Sequence, residues 1–127
     1  MNESTVQKHI RLAAKEDDCL LLRQNSGALK DVTGRLVRFG LANESKQMNE
    51  QFKSADLIGI KAVVVTPDMV GKTVGVFVSV ECKTEGWTYK GTAHEQAQDR
   101  WRAWVASYGG LAGFAASVEE ARRIWNK

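Results

Sequence analysis

Val6, Ile10, Ala13 and Ala14 recur at helical spacing behind Ser4-Thr5-Val6-Gln7, which has the form of a capping box. The spacing predicts a first helix over about 5–15, with Glu3 just before its start. Cys19-Leu20-Leu21-Leu22-Arg23 is a short apolar run of strand type. Asn25-Ser26-Gly27 and the stretch 31–34 are turn signals, and Leu36-Val37-Arg38-Phe39 is a second strand stopped by Gly40. Residues 43–53 are polar without periodicity and read as a loop. Residues 57–65 read as one strand with a bend at Lys61, then Thr66-Pro67-Asp68 turns the chain. Residues 74–83 are rich in β-branched side chains and give the strongest strand signal. A longer helix is predicted over 93–108, with Ala97, Trp101, Trp104 and Val105 on one face, ended by Gly109-Gly110. A last strand over 111–116 and a terminal helix capped by Ser117-Val118-Glu119-Glu120 complete the chain. The order is helix, four strands, helix, strand, helix, which is a mixed α/β arrangement rather than an alternating doubly wound sheet.

Composition narrows the class without deciding it. At 127 residues, 43% hydrophobic and 26% charged, the chain is expected to form one domain with its own core. Cys19 and Cys82 form neither a CxxC pair nor a zinc spacing. Two scattered cysteines and no signal-peptide pattern point to a reducing cytoplasm. No apolar run is long enough to span a bilayer, so no membrane partner is expected. A net charge of +3 and a pI near 9.0 are compatible with a nucleic-acid partner.

The chemistry concentrates at strand ends. Asp56 opens one apolar run in Ser54-Ala55-Asp56-Leu57-Ile58-Gly59, and Glu81 and Lys83 close another in Val80-Glu81-Cys82-Lys83. Charges placed there are costly unless they hold a partner or a metal. Side chains alternate along a strand, so Phe77, Ser79, Glu81 and Lys83 share one face. If the strand after Asp56 pairs antiparallel with 74–83, Asp56 approaches Glu81. One or two carboxylates suffice for Mg²⁺, which keeps several waters and takes a phosphate oxygen as a further ligand. A lysine beside them can orient water or stabilise charge developing on a phosphate. The acid-x-lysine triplet is not specific by itself, since Glu44-Ser45-Lys46 repeats it in a polar stretch. On pattern alone Glu81 and Lys83 also fit a plain surface ion pair at an exposed strand end.

The order of these residues carries further. Glu3 precedes the first helix; Arg23-Gln24-Asn25-Ser26-Gly27 follows a strand; Arg35 comes next. Then stand Ser54-Ala55-Asp56, Val80-Glu81-Cys82-Lys83-Thr84, Gln98 and Gly109-Gly110. The set resembles the virus-type replication-repair nuclease (VRR-NUC) domain, a branch of the PD-(D/E)xK nucleases, and looks most like its small stand-alone phage and prophage members. The resemblance covers nearly the whole chain. It implies a single domain over 1–127 with a restriction-endonuclease-like core, a mixed central β-sheet flanked by α-helices. It implies a Mg²⁺- or Mn²⁺-dependent endonuclease in which Asp56, Glu81 and the carbonyl of Cys82 are metal ligands. Lys83 would be the catalytic lysine, and Glu3 would add a carboxylate, through water if at all. Gln98 would support the site, with Gln96 the competing choice. The expected substrate is branched DNA of the Holliday-junction type, cut by a homodimer in the cytoplasm of a bacterial host. Ala55 stands where the family has proline, and 43–53 is long for such a connection.

Other signals are weaker. Gly71-Lys72-Thr73 lacks the upstream glycine of a phosphate loop, and His94-Glu95 lacks the second histidine of a zinc protease. Arg23, Asn25, Arg35 and Arg38 are candidate phosphate contacts that fit solvated strand ends equally well, and Ser26 is a further candidate DNA contact. Trp87, after Gly86 and near Tyr89, is the tryptophan best placed to touch DNA. Two rival readings are a non-catalytic DNA-binding module of the same fold and a flap, repair or restriction nuclease subunit that needs a partner.

Overall fold

The computed structural model describes residues 2–126 as a mixed α/β chain of two compact units, divided between Gly59 and Ile60. In the first unit, α1 (Glu3–Glu16) starts where the Asn2 side chain accepts the Thr5 amide at 2.8 Å. Asparagine caps as well as serine does. The helix therefore begins two residues before the expected 5–15, and Ser4 lies inside it. α1 packs against β1 (Cys19–Arg23), with Ala14 its buried residue. The next pair, β2 (Gly27–Lys30) and β3 (Leu36–Phe39), forms an antiparallel hairpin in register Gly27↔Phe39 to Lys30↔Leu36. The turn between them is tied by Asp31, whose Oδ1 accepts the Thr33 and Arg35 amides, each at 2.9 Å. β2 is invisible in the pattern, because Gly-Ala-Leu-Lys has no β-branched residue and is strand only through its partner.

The expected loop at 43–53 contains a short helix, α2 (Lys46–Gln51), started by Ser45 Oγ accepting the Met48 amide at 3.1 Å. It buries no residue, so it leaves no apolar period to read. β4 (Leu57–Lys61) pairs with β1. The close approach requires Gly59: a Cβ there would lie 1.7 Å from the Leu20 carbonyl oxygen.

In the second unit, the ladder within 74–83 is β5 (Val78–Cys82). It runs parallel to β6 (Leu111–Ala115), in register Val78↔Leu111 to Cys82↔Ala115. Between them comes α3 (Ala93–Ser107), and α4 (Val118–Trp125) follows. α3 lies against the face that carries Ser79 and Glu81, since Trp101 Nε1 donates to Ser79 Oγ at 2.9 Å. α4 packs through buried Ile124, whose side chain would lie 3.0 Å from a Cβ at Gly113. Val105 is fully buried, and Ala115 and Ile124 are nearly so.

Three readings of the sequence change. The strand after Asp56 pairs with β1, and β5, which carries Glu81, pairs with β6, so the antiparallel pairing of 57–65 with 74–83 on which an approach of Asp56 to Glu81 was conditional is not among the ladders. Apolar alternation specifies which face a strand buries, not which strand lies beside it. The described strands form three two-stranded ladders rather than one central sheet. The inward stripe of α3 also differs from that expected: it runs through Glu95, Gln98, Trp101 and Val105, while Ala97 and Trp104 are exposed. Among the described residues, no helix is long and apolar enough to cross a membrane.

Candidate active site

Strand alternation sends Ser79 and Glu81 toward α3, and Lys83 follows in the same sense just past the end of β5. Gln98, on the second turn of α3, meets both charged residues. Lys83 Nζ donates to Gln98 Oε1 at 2.8 Å, and Gln98 Nε2 donates to Glu81 Oε1 at 2.7 Å. Chemistry fixes this amide's orientation: an ammonium can only donate and a carboxylate can only accept. Glu81 and Lys83 are thus bridged, and among the described residues they form no direct ion pair. Glu81 is exposed, and its Oε2 has no hydrogen-bond partner among the described residues. The matching triplet at Glu44-Ser45-Lys46 is built differently: Lys46 pairs along α2 with Glu50 at 3.9 Å, both ends well exposed. Gln96 is occupied elsewhere, donating to the Gly91 carbonyl at 2.8 Å.

The Lys83 ammonium also lies over two rings, 5.3 Å from the centroid of Trp87 and 5.6 Å from that of Phe114. Those rings are neighbours, 5.2 Å apart, and Tyr89 meets Trp87 edge-on at 6.3 Å. Trp87 Nε1 donates to Glu95 Oε2 at 2.9 Å. Glu95 Oε1 accepts the Lys90 amide at 3.0 Å and the Thr92 amide at 3.2 Å, while Thr92 Oγ1 caps α3 by accepting the Glu95 amide. Burial opposes the charge on Glu95. The amides of Thr92 and Lys90, the Trp87 indole and the Thr92 hydroxyl outweigh it and hold the carboxyl below its usual range. Glu95 and Phe114 were not legible as site residues. Thr92-x-x-Glu95 does read as a capping box in sequence, but nothing in the string says that it reaches Trp87.

Asp56 and Glu3 belong to the first unit. Asp56 is exposed just before β4, and its carbonyl accepts the Gln24 amide at 2.9 Å. It lines a polar cleft of about 310 Å³ together with Gln24, Asn25, Ser26, Lys53 and Ser54. Gln24 ties the cleft walls, donating to Ser54 Oγ and the Ala55 carbonyl and accepting the Leu41 amide at 2.9 Å. Glu3 is exposed in the first turn of α1. Arg23 is exposed at the end of β1. Arg35 is exposed at the hairpin turn, near Asp31, whose carboxyl is held below its usual value by the Thr33 hydroxyl and the Arg35 amide. Cys82 ends β5 opposite Ala115, and its thiol and that of Cys19 are free.

Among the described residues, no three His, Cys, Asp or Glu side chains gather closely enough to hold a metal by themselves. Mg²⁺ does not require three: one or two carboxylates, waters and a substrate phosphate complete its shell. Glu81, exposed and with Oε2 unengaged among the described residues, suits that chemistry. No family model, curated protein or solved structure matches this chain.

Proposed function

We propose that this chain is a Mg²⁺- or Mn²⁺-dependent DNA endonuclease of the VRR-NUC type, with a restriction-endonuclease-like core. It would cut branched DNA in phage replication, recombination or repair. The observation that carries this reading is the bridge Lys83–Gln98–Glu81. A single neutral amide holds a carboxylate and an ammonium at fixed places on one strand face without letting them neutralise each other by contact. An ion pair made for stability has no need of the intervening glutamine.

Glu81 would hold the metal, and by the resemblance Asp56, the Cys82 carbonyl and, through water, Glu3 would complete the ligand set. A bound Mg²⁺ supplies Lewis-acid polarisation of the phosphate and a more acidic water. The chain's own residues do the rest. Gln98 occupies Glu81 Oε1 and leaves Oε2 without a partner among the described residues. Lys83, with one proton on Gln98, keeps two N–H donors for a phosphate oxygen or for the attacking water. Arg23, Asn25, Ser26 and Arg35 would meet the DNA backbone and fix its position without reading sequence.

The test is to incubate the purified protein with Mg²⁺ or Mn²⁺ and duplex, flap, single-stranded and four-way DNAs, and to map the cuts. The reading predicts paired, symmetric nicks in the four-way junction that stop when the metal is chelated. Cleavage of flaps with intact junctions would refute the substrate, and no cleavage of any DNA would refute the nuclease.

A further inference from the structure

Glu95 is only 6% exposed, although its residue type is normally found in water. A glutamate at the third position of a helix usually reaches back to the N-cap amide and does no more. This one accepts that amide, the Lys90 amide and the indole N–H of Trp87, eight residues upstream. The two additional bonds pin the segment that leads from Lys83 into α3. The pinned indole lies against Phe114, and both rings lie beneath the Lys83 ammonium. Lys83 therefore has two supports: Gln98 at its tip and an aromatic floor whose tilt Glu95 sets.

We infer that Glu95 is a positioning residue for Lys83, acting through the Trp87 ring. Lysine is a compact charge on a flexible stem, so a directed ammonium needs a surface as well as a hydrogen bond. The Trp87 face supplies attraction to the cation from a fixed direction. The inference rests on the nuclease reading for its catalytic consequence, but the geometric claim stands apart from it.

The experiment compares Glu95→Gln, Trp87→Phe and Thr92→Ala with the unaltered protein, by NMR and by nicking kinetics in Mg²⁺. The Lys83 ε-methylene protons should be shifted upfield by the two rings in the unaltered protein. In Glu95→Gln the Trp87 indole N–H resonance should move, and the Lys83 shift should fall toward that of a free lysine. In parallel, kcat should drop roughly 10- to 100-fold with KM little changed, the pattern of a misplaced group rather than lost binding. Trp87→Phe keeps a ring but loses the anchor, and should reproduce both effects. Thr92→Ala loses the cap hydroxyl but keeps the indole bond, so it should lower stability and leave the Lys83 shift in place. An unchanged Lys83 shift in Glu95→Gln, or equal loss of kcat in Thr92→Ala, would overturn the inference and leave Glu95 a helix cap. If the unaltered protein cuts no DNA, the nuclease reading fails while the Lys83 shift still decides the positioning claim.

Discussion

Two acid-x-lysine triplets in one chain show what a residue pattern can and cannot say. Glu44 and Lys46 are spaced as Glu81 and Lys83 are, yet Lys46 turns to its own helix and Lys83 turns to Gln98. The strand alternation that places Glu81 and Lys83 on one face is legible in sequence. The choice of Gln98 over Gln96 as their partner becomes a matter of geometry, since two residues along a helix is more than half a turn. Glu95 could not have been found as a buried carboxylate, because its extra partners, the Trp87 indole and the Lys90 amide, come from a loop whose path no local pattern specifies. Its depressed pKa has a consequence. Because the folded value lies below the unfolded one of about 4.3, Glu95 contributes stability above that pH and loses it as pH falls through the folded value. The melting-temperature gap between the unaltered protein and Glu95→Gln should therefore be widest near neutral pH and narrow progressively as pH falls below the unfolded value. A gap that stays constant through acid would contradict the charge-assisted anchoring of Trp87.

At the scale of elements, periodic segments were legible and paired ones were not. α1, β1, β3, α3, β6 and α4 all lie where apolar spacing and caps predict, within a few residues. β2 and α2 were missed for a common reason: each lacks an apolar face and is held by polar caps or by a partner strand. Pairing was the larger gap. β5 and β6 are joined through α3, and no local signal distinguishes that parallel pair from an antiparallel pairing of 57–65 with 74–83. Gly59 marks where β4 meets β1, and it makes a sharp prediction. Gly59→Ala drives a methyl into the Leu20 carbonyl, and overpacking of this kind destabilises by about 1–3 kcal/mol. Urea denaturation should show a lower midpoint at unchanged slope; a midpoint equal to that of the unaltered protein would place β4 elsewhere.

At the scale of the whole molecule, the exposed valines of one stretch of chain stand out. In the second unit Val64, Val65 and Val70 are 79–85% exposed, and Val63, Val74 and Val76 more than half exposed, all outside the ladders. Unpaired apolar backbone is a template for another strand. The proposed substrate supplies a reason for that strand to come from a second copy: a four-way junction has two-fold symmetry, which a C₂ dimer matches. Light scattering should give about twice the chain mass, and Val64→Asp with Val65→Asp should give monomers that nick junctions on one side only. A unaltered protein that is monomeric while cutting symmetrically would contradict the dimer. If Glu81 and Asp56 serve Mg²⁺-dependent cleavage, single-turnover nicking of a four-way junction by Glu81→Ala and Asp56→Ala reads their loss at the chemical step. Both variants should stay folded, by circular dichroism and melting temperature, and nick at least roughly 100-fold more slowly, the order of loss on removing a key stabilising group. Full nicking activity in either folded variant would contradict that role.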